Sequence, residues 1–286
     1  MIGIVILNYN TWTDTVDCIQ SLKTQLSDSL YTVYVVDNKS PEEPNDEVLN
    51  YLKSQNNVVV IFNKENKGYS AGNNVGIDAA LKDGCNYVVI SNGDVIYTDD
   101  TLLKMMLFLK EHREVGVVGP QIYDKNGNFC KFHLLCRLTA MGKIKNMILH
   151  TPLSWLVQGF KKRFIREIEL TEPLKVFGVS GCCFMMSREC AEYLYPLDER
   201  TFLYEEEYII GARLENSHFR TYILPQTHII HAEAASTGSG NSFTYDCLLN
   251  SEQLYLREYI HSPFVGWFTL LIIRKFIWLL YKIRGK

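Results

Sequence analysis

No zinc-ligand spacing can be drawn through the eight cysteines of this 286-residue chain, and Cys182 and Cys183 are adjacent, too close for an ordinary bridge or a C-x-x-C redox pair. The cysteines therefore read as reduced thiols, mostly core filler, in a cytoplasmic protein. No charged-then-apolar leader precedes the first apolar run at Ile2, which agrees with that location. Neither G-x-G-x-x-G nor the P-loop pattern occurs, which argues against a dinucleotide dehydrogenase or an NTPase. The apolar run from Phe264 to Ile273 is closed by Arg274-Lys275 and falls well short of the roughly 20 residues a spanning helix needs. Acids are missing from two windows: residues 131–166 hold eight Lys/Arg and no Asp or Glu, and residues 274–286 hold five more, again without an acid. With a net charge of −3 overall, the rest of the chain is strongly acidic. Such a division suits a soluble body with a surface that meets phosphates or anionic lipid.

What is present is an ordinary globular composition, 47% apolar and 21% charged, with no internal repeat and no low-complexity tract. Apolar, β-rich runs recur at Ile2–Asn8, Tyr31–Val36, Val58–Phe62, Tyr87–Ile90, Val115–Pro120 and Thr221–Leu224, and Lys175–Met186 carries a further regular signal. Helical spacing falls between them, at Thr11–Lys23 with Thr13 and Asp14 available as caps, and at Ala71–Leu81, Thr101–Glu111, Ser187–Leu194 and 201–216. Residues 131–170 show weak periodicity, and a polar stretch from Ala235 to Ser242 precedes a last helical region. Strands apolar on both faces and alternating with helices predict an α/β fold with a mostly parallel central sheet.

In such sheets ligands gather at the carboxyl ends of the strands. Here those ends are polar: Asn8-Tyr9-Asn10, Asp37-Asn38, Asn63 and Asn92-Gly93-Asp94. One such tip is a turn; four make a site. The glycines of Asn66-KGYSAGNNVG-Gly76, Gly68 among them, let backbone approach a nucleotide, and Asn73-Asn74 open a helix whose N-terminus favours anions, although a capped helix after a tight loop explains the stretch equally well. A carboxylate such as Asp94 can hold Mg2+ or Mn2+ against a diphosphate. In Thr201-FLYEEEYIIG-Gly211 the three glutamates start a helix; successive positions turn by about 100°, so one faces inward, where burial raises its affinity for a proton. Of His228 and His231 at most one joins the site, His231 being the more natural ligand.

Val5-ILNYN, Val36-DNKS, Asn66-KGYSAGNNVG, Asn92-GDV, Val179-SGCCFMM, Asp198-ERTFLYEEE and His231, in this order, resemble the family 2 glycosyltransferases of the GT-A fold, in the branch that includes bacterial rhamnosyltransferases. The resemblance runs from about Ile2 to His231. It implies an inverting transfer of a sugar from a nucleoside diphosphate donor, of dTDP-rhamnose or UDP-hexose type, to a saccharide hydroxyl, with a divalent cation (Mg2+ or Mn2+). It implies that Asn8, Tyr9, Asp37 and Asn38 hold the base, with Asp37 accepting an imide N–H, and that Gly68, Asn73 and Asn74 line the nucleotide pocket. Asn92-Gly93-Asp94 stands at the family's Asp-x-Asp, with Asp94 on the metal, His231 beside it, and Gly93 making room for close approach. Glu206-Glu207 stands at the Glu-Asp pair, and the choice of base between them stays open. Three intact glutamates weigh against the alternative, an inactive nucleotide-sugar-binding scaffold. A nucleotidyltransferase would need an early Gly-rich, basic loop that the first strand does not supply.

Residues 1–120 are expected to form the nucleotide-sugar half, 121–242 the acceptor and base half, and 243–286 a helical segment at a membrane interface. Trp155 and Phe160-KKRF-Phe164 form a second basic, aromatic element that suits a membrane or acceptor. The expected partners are thus the donor, a lipid-linked saccharide and the cytoplasmic face of the inner membrane, with no nucleic acid; the apolar C-terminal surface suits a homodimer as well.

Overall fold

A computed structural model describes residues 1–130, 134–149, 151–165, 169–231 and 242–283. The polar stretch 235–241 and the basic residues Lys131 and Arg166 lie outside the described residues. Strand β1 (Ile2–Asn8) forms the axis of the molecule. It pairs in parallel with β2 (Tyr31–Asp37) on one side and with β4 (Tyr87–Asn92) on the other, and β3 (Val58–Phe62) lies beyond β2. Ile2, Ile4, Val5 and Ile6 are buried completely or nearly so, each worth about 1.5–3 kcal/mol. The chain leaves β1 toward β2 and β3 and returns to β4 on the opposite side, which makes the β1–β4 boundary the topological switch point. The register sets Asn8 opposite Asp37 and Leu7 opposite Asn92, so the polar tips are level along one edge.

Beyond β4 the pairing changes sense. The remaining strands are β5 (Val95–Tyr97), β6 (Val115–Tyr123), β7 (Leu174–Val176), β8 (Cys183–Ser187) and β9 (Arg220–His231), and the sheet order is β3-β2-β1-β4-β8-β6-β9-β5 with β7 on β9. Strand β8 is antiparallel to both β4 and β6, so its beginning meets the end of β4, and the Cys182 carbonyl accepts from Asn92 N–H at 2.8 Å. Strand β9 is parallel to β6, runs twelve residues instead of the four expected, and places His231 opposite Val95. His228 and His231 both belong to this strand. Apolar side chains form one core on each face of the sheet, and a third cluster around Tyr255, Ile209 and Leu270 sits under the C-terminal helices.

Three local differences from the sequence reading have plain causes. A helix at Asp46–Ser54 was not expected; Asn45 caps it by accepting from Val48 N–H at 2.9 Å. Residues 131–170 contain helices at Ala140–Leu149 and Gln158–Phe164. The helix expected over 201–216 spans only Glu206–Glu215, because Tyr204 and Glu205 take φ of 74° and 70°, which a helix cannot contain.

Candidate active site

The level strand tips open into a cavity of about 780 Å3. Tyr9, Asn38, Gly68, Asn92, Gly93, Asp94, Glu206, Glu207 and His231 all line it. Sequence-distant segments thus converge there, since β4 delivers Asp94, β9 delivers His231, and the loop before β8 delivers Ser180-Gly181-Cys182.

Asn8, Asp37, Asn73 and Asn74 are not part of the lining. Asn8 is fully buried; its Nδ2 donates to Asp37 Oδ1 at 2.8 Å, and its Oδ1 accepts from Thr11 and Thr15 hydroxyls at 3.2 and 3.1 Å. Asp37 also accepts from Ser40 N–H at 3.1 Å and from its hydroxyl at 2.5 Å, so the carboxylate ties the β1 and β2 tips together. Asn73 and Asn74 lie inside the Tyr69–Lys82 helix rather than opening it. Asn73 bonds back to the Tyr69 carbonyl, and Asn74 clamps Leu197 through its N–H and C=O at 2.8 and 3.0 Å. These four residues brace the rim.

Two glycines act through packing. At Gly68 φ is +95° and a Cβ would meet the Phe202 carbonyl oxygen at 2.3 Å, so the loop over the cavity can close on residue 202 only with glycine there. A Cβ at Gly93 would meet Thr15 Oγ1 at 2.6 Å; the room it makes is for the Trp12–Leu22 helix rather than for a ligand.

In the cavity lining Asp94 Oδ1 and His231 Nε2 are 3.2 Å apart, their side chains 11% and 19% exposed. His228 points the other way, toward Asp99 at 3.2 Å, as alternation along β9 requires. Among the described residues no group of three or more His, Cys, Asp or Glu side chains could hold a metal ion. A carboxylate and an imidazole side by side nevertheless fit Mg2+ or Mn2+, which take few protein ligands and complete their shells with phosphate and water.

Glu205, Glu206 and Glu207 line the same cavity. Glu205 is buried and receives Lys143 Nζ on both oxygens at 2.7 Å; burial pushes its carboxyl up while Lys143 opposes the rise. Burial first, and the Glu207 carboxylate second, push the Glu206 carboxyl well above the usual range, and Glu206 Oε1 has no hydrogen-bond partner. Glu207 Oε1 accepts from Gly181 N–H at 3.0 Å. Tyr69, which the sequence reading did not single out, donates to the Gly181 carbonyl at 2.5 Å, and burial followed by the two glutamates holds its phenol well above its ordinary value. It sits in a quoted motif, but nothing in the chain marks its contact with a loop 112 positions away. An apolar wall of Phe202, Leu203, Phe243 and Leu248 completes the cavity, with Phe202 and Phe243 edge-to-face at 5.2 Å.

The fold and this site define a sugar-transferring enzyme of the GT-A type, and comparison with known proteins agrees. The chain belongs to glycosyl transferase family 2, whose domain matches residues 3–194. Within the family its similarity is to the rhamnosyltransferase-like branch. It is 23% identical over 155 residues to the N-acetylglucosaminyl-diphospho-decaprenol L-rhamnosyltransferase of Mycobacterium tuberculosis, in strains CDC 1551 and H37Rv alike. That alignment takes in 54% of this chain and about half, 49%, of the relative's length. Among solved structures, GalNAc-T7 with UDP, GalNAc and Mn2+ superposes with a TM-score of 0.65 at 15% identity over 90% of this chain and 48% of that one. Residues 1–349 of S. aureus TarS in complex with UDP-GlcNAc superpose with a TM-score of 0.56 at 15% identity, over 89% and 66%. At these identities the likeness is one of fold.

Proposed function

We propose that this protein is an inverting transferase that moves a hexose from a nucleoside diphosphate donor, dTDP-rhamnose or a UDP-hexose, to a hydroxyl of a lipid-linked saccharide in the synthesis of a bacterial surface polysaccharide. The observation that carries the reading is the pairing of Glu206 and Glu207 in the same cavity as Asp94 and His231. Glu207, oriented by Gly181 N–H, takes the proton of the acceptor hydroxyl as that oxygen attacks the anomeric carbon. Glu206, kept protonated by burial, donates a hydrogen bond to a substrate oxygen. The bond to the diphosphate breaks on the opposite face, and the configuration inverts. Asp94 and His231 would hold the cation, which when bound neutralises charge on the departing diphosphate. Tyr9, Asn38 and Gly68, which line the same cavity, would contact the donor.

The lipid-linked acceptor draws support from the apolar wall of Phe202, Leu203, Phe243 and Leu248, which suits a chain-bearing substrate better than a free sugar. The acceptor in the mycobacterial relative's name, a sugar on a diphospho-decaprenol, has the same character. Among the described residues no helix is long and apolar enough to cross a membrane. Peripheral binding is supported instead by the Phe264–Ile283 helix, where Phe264, Phe268, Ile272, Phe276 and Leu279 are exposed along one stripe, and by exposed Trp155 and Leu156.

The test is release of nucleoside diphosphate from dTDP-rhamnose and UDP-N-acetylglucosamine in the presence of N-acetylglucosaminyl-diphospho-polyprenol. Glu207→Gln is expected to lower kcat by about 10²–10⁴-fold while the nucleotide still binds. Unchanged turnover in both Glu207→Gln and Glu206→Gln would remove the base from this pair, whereas no release of nucleoside diphosphate by the wild type would leave the scaffold reading.

A further inference from the structure

Behind the glutamates, four charged side chains from four separate segments form an alternating row. Arg274, in the Phe264–Ile283 helix, donates to Glu252 through Nη2 at 2.9 Å and Nε at 3.2 Å. Glu252, in the Ser242–Leu254 helix, lies 3.7 Å from Lys143 Nζ. Lys143, in the Ala140–Leu149 helix, bonds both oxygens of Glu205 at 2.7 Å. Glu205 immediately precedes Glu206-Glu207. The side chains of Lys143, Glu205 and Glu252 are no more than 6% exposed. The rings of Tyr208 and Tyr255 flank the ammonium at 4.5 and 5.3 Å.

Buried ion pairs add little net stability compared with well-packed apolar residues. Their place beside a strained turn supplies a different reason for them. Tyr204 and Glu205 hold left-handed backbone without being glycine, and such a turn persists only where its surroundings fix it. Lys143 is the group that grips Glu205, and Arg274 is the group that occupies Glu252 and so keeps it from competing for Lys143.

We infer that Lys143, Glu252 and Arg274 are positioning residues that act through Glu205 to set where the Glu206–Glu215 helix begins, so that the catalytic pair is in place only when the C-terminal helix is seated. The inference rests on the proposed role of Glu206 and Glu207. Loss of Arg274 leaves Lys143, 3.7 Å away, as the cation facing Glu252; Glu252 draws Lys143 away from Glu205, and the turn loosens. Removal of Glu252 as well ends the competition and returns Lys143 to Glu205.

The experiment compares the full-length wild type with Arg274→Met, Arg274→Lys, Glu252→Gln/Arg274→Met and Glu207→Gln. Hydrogen exchange at the amides of residues 205–210 and turnover on the substrates named above are the readouts. Arg274→Met is expected to speed exchange there about tenfold and to lower kcat by a similar factor, with KM for the donor unchanged. The double variant and Arg274→Lys are expected within roughly threefold of the wild type in both. Wild-type exchange and kcat in Arg274→Met overturn the inference, as does a double variant no better than the single one, since packing of the helix rather than its charge would then be the cause. If Arg274→Met does not fold, the double variant and Arg274→Lys decide alone: either outside the threefold range overturns it. Glu207→Gln separates the two claims. Full turnover in that variant removes the catalytic reading while exchange still judges the row; an inactive Glu207→Gln beside a wild-type-like Arg274→Met removes the row only.

Discussion

Glu206 is a buried carboxyl whose Oε1 has no hydrogen-bond partner. Its carboxyl is raised by burial and by Glu207, so the folded state holds a proton that the unfolded chain releases above its ordinary carboxyl range. The contribution is therefore complete below about pH 4.5 and declines as pH rises toward the elevated folded value. Glu206→Gln keeps a neutral group there and escapes that decline. Its melting temperature is expected to gain on the wild type between pH 5 and pH 8, and a constant difference across that range would contradict the assignment. Asp94 belongs to the same scale. In a thermal-shift panel of UDP, dTDP, GDP and CMP with and without Mn2+ or Mg2+, a pyrimidine diphosphate at a hundred times its Kd adds about 2.7 kcal/mol. The cation-dependent part of that gain is expected to vanish in Asp94→Ala.

Among the elements, the loop from Asp198 to Glu205 matters most, because it carries the chain from the Arg188–Leu194 helix to the glutamates. Burial alone would raise the Asp198 carboxyl, but hydrogen bonds from Arg200 and Tyr259 outweigh it and hold it at about 2. The stability it adds is present above its unfolded value near 3.8 and is lost as pH falls toward about 2. Asp198→Asn is expected to cost about 1–3 kcal/mol at pH 7, read from urea unfolding, and less at pH 3. Gly68 meets the same loop from the other side. Gly68→Ala puts a methyl into the Phe202 carbonyl and forces a side chain to φ +95°, and a loss of about 1–3 kcal/mol is expected together with weaker nucleotide binding. Unchanged binding would separate this loop from the donor site.

For the molecule as a whole, the open question is what covers the outer stripe of the C-terminal helix. The helix is anchored on its inner side by Leu270, by Gly266 against Ala140, and by Trp278 stacked on Tyr245 at 4.7 Å. Its outer apolar residues and the neighbouring basic segment suit an anionic bilayer surface. Phe268→Glu/Phe276→Glu, at positions 42% and 59% exposed, is expected to abolish co-sedimentation with phosphatidylglycerol vesicles without lowering the melting temperature. Equal binding by variant and wild type would exclude this face, and a monomeric variant from a dimeric wild type would assign it to a second copy of the chain.

The order of strands and helices, the polar strand tips and the run of glutamates were legible in the chain, because apolar periodicity and turn chemistry are local properties. The seven segments from Val5-ILNYN to His231, taken together and in order, pointed to the fold, which the topology bears out. Which polar residues face the cavity was not legible. Asn8, Asn73 and Asn74 are amides like Asn38 and Asn92, and only the tertiary packing decides which of them border the cavity. The antiparallel insertion of β8 sets Gly181 against Glu207, and the length of β9 sets His231 against Asp94. Both depend on pairings between segments far apart in sequence, whose register is chosen by the whole core at once. The same holds for the row from Arg274 to Glu205, since three helices and a turn must assemble before its charges have neighbours.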